Sequence, residues 1–224
     1  MISKEILRQV VSKQKHELPV RKGTVRRDIL DDILKWMSDD RIIILTGIRR
    51  CGKSTLLKQI MRETTNWSYI NFEDERLLEF QAQEFELLNE VLIEFYGPTT
   101  TYFFDEIQNV PRFELFVRRL QEEGKKVIIT GSNATLLSKE FGTRLTGRYK
   151  SFEVYPFSFS EFLRFKEITI TKEDWYVVEK KIALFKLFKE YLITGGLPEY
   201  VKNQDTDYVR TVFENILYKD IITR

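Results

Sequence analysis

Two short stretches contain residues whose types and spacing suit phosphate chemistry. The first is Gly47–Ile48–Arg49–Arg50–Cys51–Gly52–Lys53–Ser54, followed by Thr55. It fits the pattern G-x-x-x-x-G-K-[ST] of a phosphate-cradling loop. Glycine opens backbone conformations with positive φ. Successive amides then converge on phosphate oxygens, and the next helix adds its positive end. In this reading Lys53 reaches the β- and γ-phosphates and Ser54 offers its hydroxyl to Mg²⁺. Arg49, Arg50 and Cys51 fill variable positions with their side chains turned away from the phosphates. The plainer alternative is a glycine-containing turn before a helix.

The second stretch is Thr100–Thr101–Tyr102–Phe103–Phe104–Asp105–Glu106. A β-rich apolar run ends in adjacent carboxylates. Asp105 would hold Mg²⁺, directly or through water, and Glu106 would orient or deprotonate an attacking water. On a strand the two would face opposite sides. The alternative is a solvated acidic strand end. Two further places supply candidates. Lys126 to Asn133 reads as a strand ending in small polar residues, so Ser132 or Asn133 would face a ligand crevice or cap the next helix. Arg144 and Arg148 lie in a polar loop before another strand-like run and could stabilise charge on a transferring phosphoryl group, or belong to the surface.

These residues need a scaffold, and apolar patterning supplies one. Strands are expected at 41–46, 67–72, 100–106, 126–133 and 151–155, alternating with helices. Amphipathic helices are expected over 1–16 and 28–37, and a mostly helical stretch over 76–96. Another helix starts near Pro111. Ser158 and Glu161 form a capping box. The stripe Trp175, Val178, Ile182, Phe185, Phe188 and Leu192 reads as core. Gly195 stops that helix, and Asp205 or Asp207 caps the last one. The last helix runs to Arg224 without a stop signal, as if the chain continued into a longer protein.

Composition narrows the classes. The 224 residues are 42% hydrophobic and carry a net charge of +2, so no global basic field points to nucleic acid. Basic pairs such as Arg26–Arg27 and Lys125–Lys126 sit among acidic residues and read as solvated surface. One cysteine cannot make an internal disulfide, which fits a reducing compartment, and the single histidine, His16, reads as a polar surface residue with no partner cluster for a metal. No leader and no membrane-length apolar run is seen, so a cytoplasmic protein without membrane contact is expected.

The set GIRRCGKST at 47–55, FFDEIQ at 103–108, ITGSNATLL at 129–137, LTGRY at 145–149 and GGLPEY at 195–200 resembles archaeal and bacterial AAA+-type ATPases. These are related to the STAND and MNS-type P-loop ATPases. The resemblance covers nearly the whole chain. It departs from the family at Ile48, where many members carry proline, and at Cys51, where small or branched residues are common. The resemblance implies an α/β fold with a parallel five-stranded sheet of order 5-1-4-3-2, followed by a small helical lid. It divides the chain into an ATPase core over 1–157 and a lid over 158–224. It implies ATP or ADP and Mg²⁺ as ligands, Asn133 as a polar sensor, and Arg148 as a cis contact or a finger toward a neighbouring subunit of a homo-oligomer. Gly195, Gly196 and Pro198 would lie against the nucleotide base. Relatives often carry a nuclease-like C-terminal domain, through which DNA would be a partner. The expected function is Mg²⁺-dependent ATP hydrolysis that moves the lid and an attached domain. A nucleotide-operated switch with little turnover is the alternative, and Glu106 argues against it.

Overall fold

A computed structural model describes residues 2–18, 24–131, 145 and 147–216. Contacts divide the chain into two compact units. The first comprises Met1–Val20, Ile29–Gly47 and Lys53–Val154; the second comprises Arg21–Asp28, Ile48–Gly52 and Tyr155–Arg224.

The first unit is built on strands β1 (Ile42–Thr46), β2 (Trp67–Asn71), β3 (Thr101–Asp105), β4 (Lys126–Thr130) and β5 (Tyr149–Glu153). Every pairing is parallel, and the order is β2-β3-β4-β1-β5, the order the sequence resemblance implies. Strands β1 and β3 are buried at all positions. They therefore read as continuous apolar runs, as sheets covered on both faces do. Helices α1 (Lys4–Glu17), α4 (Phe85–Tyr96) and α5 (Phe113–Glu122) supply one cluster, with Val10, Leu88 and Phe116 among its members. Ile42 and Ile44 belong to that cluster, so Ile43 and Leu45 alternate to the other side. Helix α3 (Lys53–Arg62) packs there on β3 and β4, with the short α2 (Leu30–Leu34) beside it. Each buried Leu, Ile or Val contributes about 1.5–3 kcal/mol.

Local physics moved several boundaries. The helix expected over 28–37 is helical only over Leu30–Leu34, because Trp36 and Met37 donate to Ile33 and Leu34 in tighter turns. The stretch 76–96 is two short 3₁₀ turns followed by α4. Pro111 precedes α5, with Arg112 at the N-cap in the left-handed region. Strand β5 begins at Tyr149, two residues earlier than expected. Lys126 is not a solvated lysine: its Nζ donates to the carbonyls of Trp36, Asp39 and Arg41, each at 2.7 Å.

The second unit holds α6 (Phe159–Phe165), α7 (Val178–Thr194), α8 (Pro198–Asn203) and α9 (Thr206–Ile216). Its core gathers Val25, Phe157, Phe162, Leu163 and Val201. The capping box forms as expected: Ser158 Oγ accepts from Glu161 N, and the Glu161 carboxylate accepts from Ser158 N. Asp205 caps α9. The stripe expected to be core is not: Ile182, Phe185 and Leu192 are 52%, 58% and 65% exposed. Leu184, Leu187 and Tyr191 face the core instead. Helix α7 interleaves charged residues such as Lys181, Lys186 and Glu190 with apolar ones on every side, so its periodicity does not say which side is covered. Gly196 is fixed by backbone approach. Phe157 N donates to Gly196 O at 2.7 Å, and a β-carbon at 196 would lie 2.1 Å from Phe157 O.

Candidate functional site: a phosphate loop beside a buried carboxylate

In the first unit, β1, β3 and β4 end on the same edge of the sheet, as parallel strands in register must. Gly47 follows β1, Asp105 ends β3 and Thr130 ends β4. Helix α3 starts at Lys53 and presents Lys53 and Ser54 to this edge. Ser54 Oγ lies 3.2 Å from Asp105 Oδ1, within hydrogen-bond reach. Lys53 is 4% exposed; its Nζ donates to Gly47 O at 3.1 Å and lies 4.0 Å from Glu106 Oε1. Thr55 is half-buried in the first turn of α3.

Asp105 is 1% exposed. Thr130 Oγ1 donates to its Oδ1, and Tyr69 OH reaches its Oδ2 at 3.3 Å. Burial raises the Asp105 carboxyl above the ordinary range, and nearby Glu106 adds to this; the hydroxyls pull the other way. The Tyr69 hydroxyl is pushed well above its usual value, first by burial and then by Asp105, so it stays a donor. Among the described residues, hydroxyl groups hold this buried carboxylate, and a cation would suit it as a further partner. The oxygen donors Ser54 and Asp105 match Mg²⁺, which is held by one or two carboxylates plus phosphates rather than by a protein cage.

Glu106 departs from the strand geometry expected of it. It has left β3 and sits at φ 52°, ψ 42°, a left-handed conformation costly for a side-chain-bearing residue. Its N–H donates to Thr130 Oγ1 at 2.9 Å, and its carboxylate accepts from Gln108 Nε2 at 2.6 Å. The two acidic groups are thus separated by a backbone turn rather than by strand alternation. Non-glycine strain of this kind concentrates at functional sites.

The crest of the phosphate loop, 48–52, groups with the second unit. Arg50 and Gly52 have φ of 64° and 103°, as an amide nest requires. Ile48 is 40% exposed and Cys51 is buried. The Arg50 guanidinium lies over the Tyr208 ring, 5.1 Å from its centroid, and Arg49 is half-buried. Pro198 starts α8 and would touch a β-carbon placed on Gly52, at 3.9 Å. Arg148 is not brought to the cluster. It precedes β5, at the opposite edge of the sheet, and bonds to Gln121 and Glu122 of α5. Ser132, Asn133 and Arg144 lie outside the described residues.

Sequence reading missed Thr130, Tyr69, Arg27 and Glu161. Thr130 was the most legible, being a polar residue at a strand's carboxyl end. Tyr69 sits inside an apolar strand, where nothing distinguishes a hydroxyl aimed at a carboxylate. Arg27 belongs to a basic pair that its sequence context assigns to the surface, yet it is 4% exposed and paired with Glu161 at 2.9 Å.

An AAA domain family matches residues 39–163. An uncharacterized protein of Methanocaldococcus jannaschii is 35% identical over all of this chain and 51% of its own length. One of Haemophilus influenzae is 31% identical over 89% of this chain and 50% of its own length. The chain spans about half the length of these relatives. Among solved structures, a Walker-type ATPase of Pyrococcus abyssi is 18% identical, over 87% of this chain and 73% of that one, at a TM-score of 0.48. Domain III of the replication initiation protein DnaA of Thermotoga maritima is 18% identical, over 89% and 96%, at 0.45. With its phosphate loop, its strand-end carboxylate and a family match over more than half its length, this chain belongs to the AAA domain family.

Proposed function

We propose that this chain binds ATP with Mg²⁺ and hydrolyses it. The observation that carries the reading is the convergence of Lys53, Ser54, Asp105 and Glu106 at one sheet edge. Ser54 and Asp105 would hold the ion, whose chemistry is to neutralise charge on the phosphates. Lys53 would exchange its contact with Glu106 for phosphate oxygens. Glu106, freed from Lys53 and oriented through its N–H by Thr130, would accept a proton from water.

The reading extends to residues beyond this cluster. Asn133 would sense the terminal phosphate. Arg148, exposed at the far sheet edge, suits a contact to a neighbouring copy better than one to its own loop. Gly196 and Pro198 would sit near the base. In a protein of the relatives' length, hydrolysis would move the lid and an attached domain, with DNA as a partner of that domain. The test is calorimetric titration of ADP and ATP with Mg²⁺ into wild type and Lys53→Ala. At least tenfold weaker binding is expected for the variant, or about 1.4 kcal/mol. Equal affinity would refute the reading.

A further inference from the structure

The phosphate loop is braced from behind by a buried ion pair that the motif does not contain. Arg27 directs its guanidinium at separate acceptors: Nε to Glu161 Oε1 at 2.9 Å, Nη1 to Cys51 O at 2.9 Å and Nη2 to Tyr155 O at 2.6 Å. Arg27 and Glu161 side chains are each 4% exposed. Glu161 is itself fixed, because its carboxylate also accepts from Asp28 N at 2.8 Å and Ser158 N at 2.9 Å. The guanidinium lies 5.3 Å from the centroid of the Phe157 ring. A planar fork with fixed donor directions, held at one end by a capped helix, can set the orientation of the group at its other end.

That group is the Cys51–Gly52 peptide. The described residues contain no cis peptide bond, so the Cys51 carbonyl and the Gly52 N–H point in opposite directions. Arg27 takes the carbonyl, and the Gly52 amide is therefore turned away from the guanidinium. Gly52 has φ 103°, and a β-carbon there would come within 2.9 Å of Arg27 Nη1. The glycine thus satisfies two demands at once, the backbone conformation and the close approach of the arginine.

We infer that Arg27, fixed by Glu161, is a positioning residue that presets the Gly52 amide to receive phosphate. The inference rests on the nucleotide-binding reading above. A brace of this kind makes the donor ready before the ligand arrives, which lowers the ordering cost of binding.

The test uses Arg27→Met combined with Glu161→Gln, which removes both charges and leaves no lone buried ion. ADP affinity is measured by titration, and exchange of the Gly52 amide is followed by NMR with and without ADP. In wild type, ADP is expected to slow Gly52 exchange at least tenfold. In the double variant, ADP affinity should fall at least tenfold, and ADP protection of Gly52 should fall with it. A folded variant with wild-type affinity and protection would overturn the inference while leaving the nucleotide reading intact. Should the double variant not fold, Arg27→Lys takes its place, since it keeps the charge pair but loses the fork. The same fall then supports the inference, and unchanged affinity overturns it. A wild type that binds no ADP removes the nucleotide reading, and this inference with it.

Discussion

The two edges of the parallel sheet each hold an ionisable group, and they treat it differently. At the amino edge, Lys126 Nζ donates to the carbonyls of Trp36, Asp39 and Arg41. An ammonium has three N–H donors, so this group is fully occupied. At the carboxyl edge, the partners of Asp105 among the described residues are the neutral hydroxyls of Ser54, Tyr69 and Thr130. A carboxylate offers about four acceptor sites, more than these three hydroxyls fill. The amino edge is a closed brace. The carboxyl edge keeps coordination to give, and it is the edge where the phosphate loop begins.

The largest effect that would sharpen this contrast is on stability. Lys126→Met leaves three part-buried carbonyls without this donor and should cost about 1–3 kcal/mol in denaturant unfolding. ATP turnover per folded molecule should stay unchanged. Asp105→Asn should do the reverse. It removes a buried charge, so stability should shift by less than about 1 kcal/mol, while Mg²⁺-dependent turnover should fall at least tenfold, about 1.4 kcal/mol in barrier. If both variants lost stability and activity together, the contrast between the edges would break.

A smaller effect lies where α1 meets α4. Glu94 pairs with Arg8 and Lys4, and hydrogen bonds to them hold its carboxyl down to about 2. A depressed carboxyl stabilises the fold above its unfolded value of about 4.3 and loses that contribution as pH falls toward 2. The melting-temperature difference between wild type and Glu94→Gln should therefore be constant near neutral pH and vanish in that window. The smallest effect belongs to the second unit. Phe185→Ser, on the uncovered side of α7, should change stability by no more than about 0.5 kcal/mol. Leu187→Ser, on the covered side, should cost more.

That last pair shows where the sequence was readable. The strands themselves were legible because buried parallel strands leave unbroken apolar runs, and Gly47–Ser54 and Asp105–Glu106 punctuate their ends; their order came from the resemblance to AAA+-type ATPases. Helix α7 was not legible, because apolar and charged residues alternate on all its sides. The conformation of Glu106 was hidden as well, since an αL turn after β3 is set by Thr130 accepting its N–H, a contact from another strand. Arg27 escaped for a related reason. Its partners Cys51, Tyr155 and Glu161 are brought to it only by folding.

The proposed hydrolysis depends on the Glu106 carboxylate, 4.0 Å from Lys53 Nζ, accepting a proton from water. Single-turnover ATP hydrolysis by Glu106→Gln, with nucleotide retention measured on the same sample, tests it most directly. The variant should retain Mg²⁺-ATP as wild type does and hydrolyse it at least tenfold more slowly. Hydrolysis at the wild-type rate would contradict the assignment of Glu106 and the hydrolytic reading of the site.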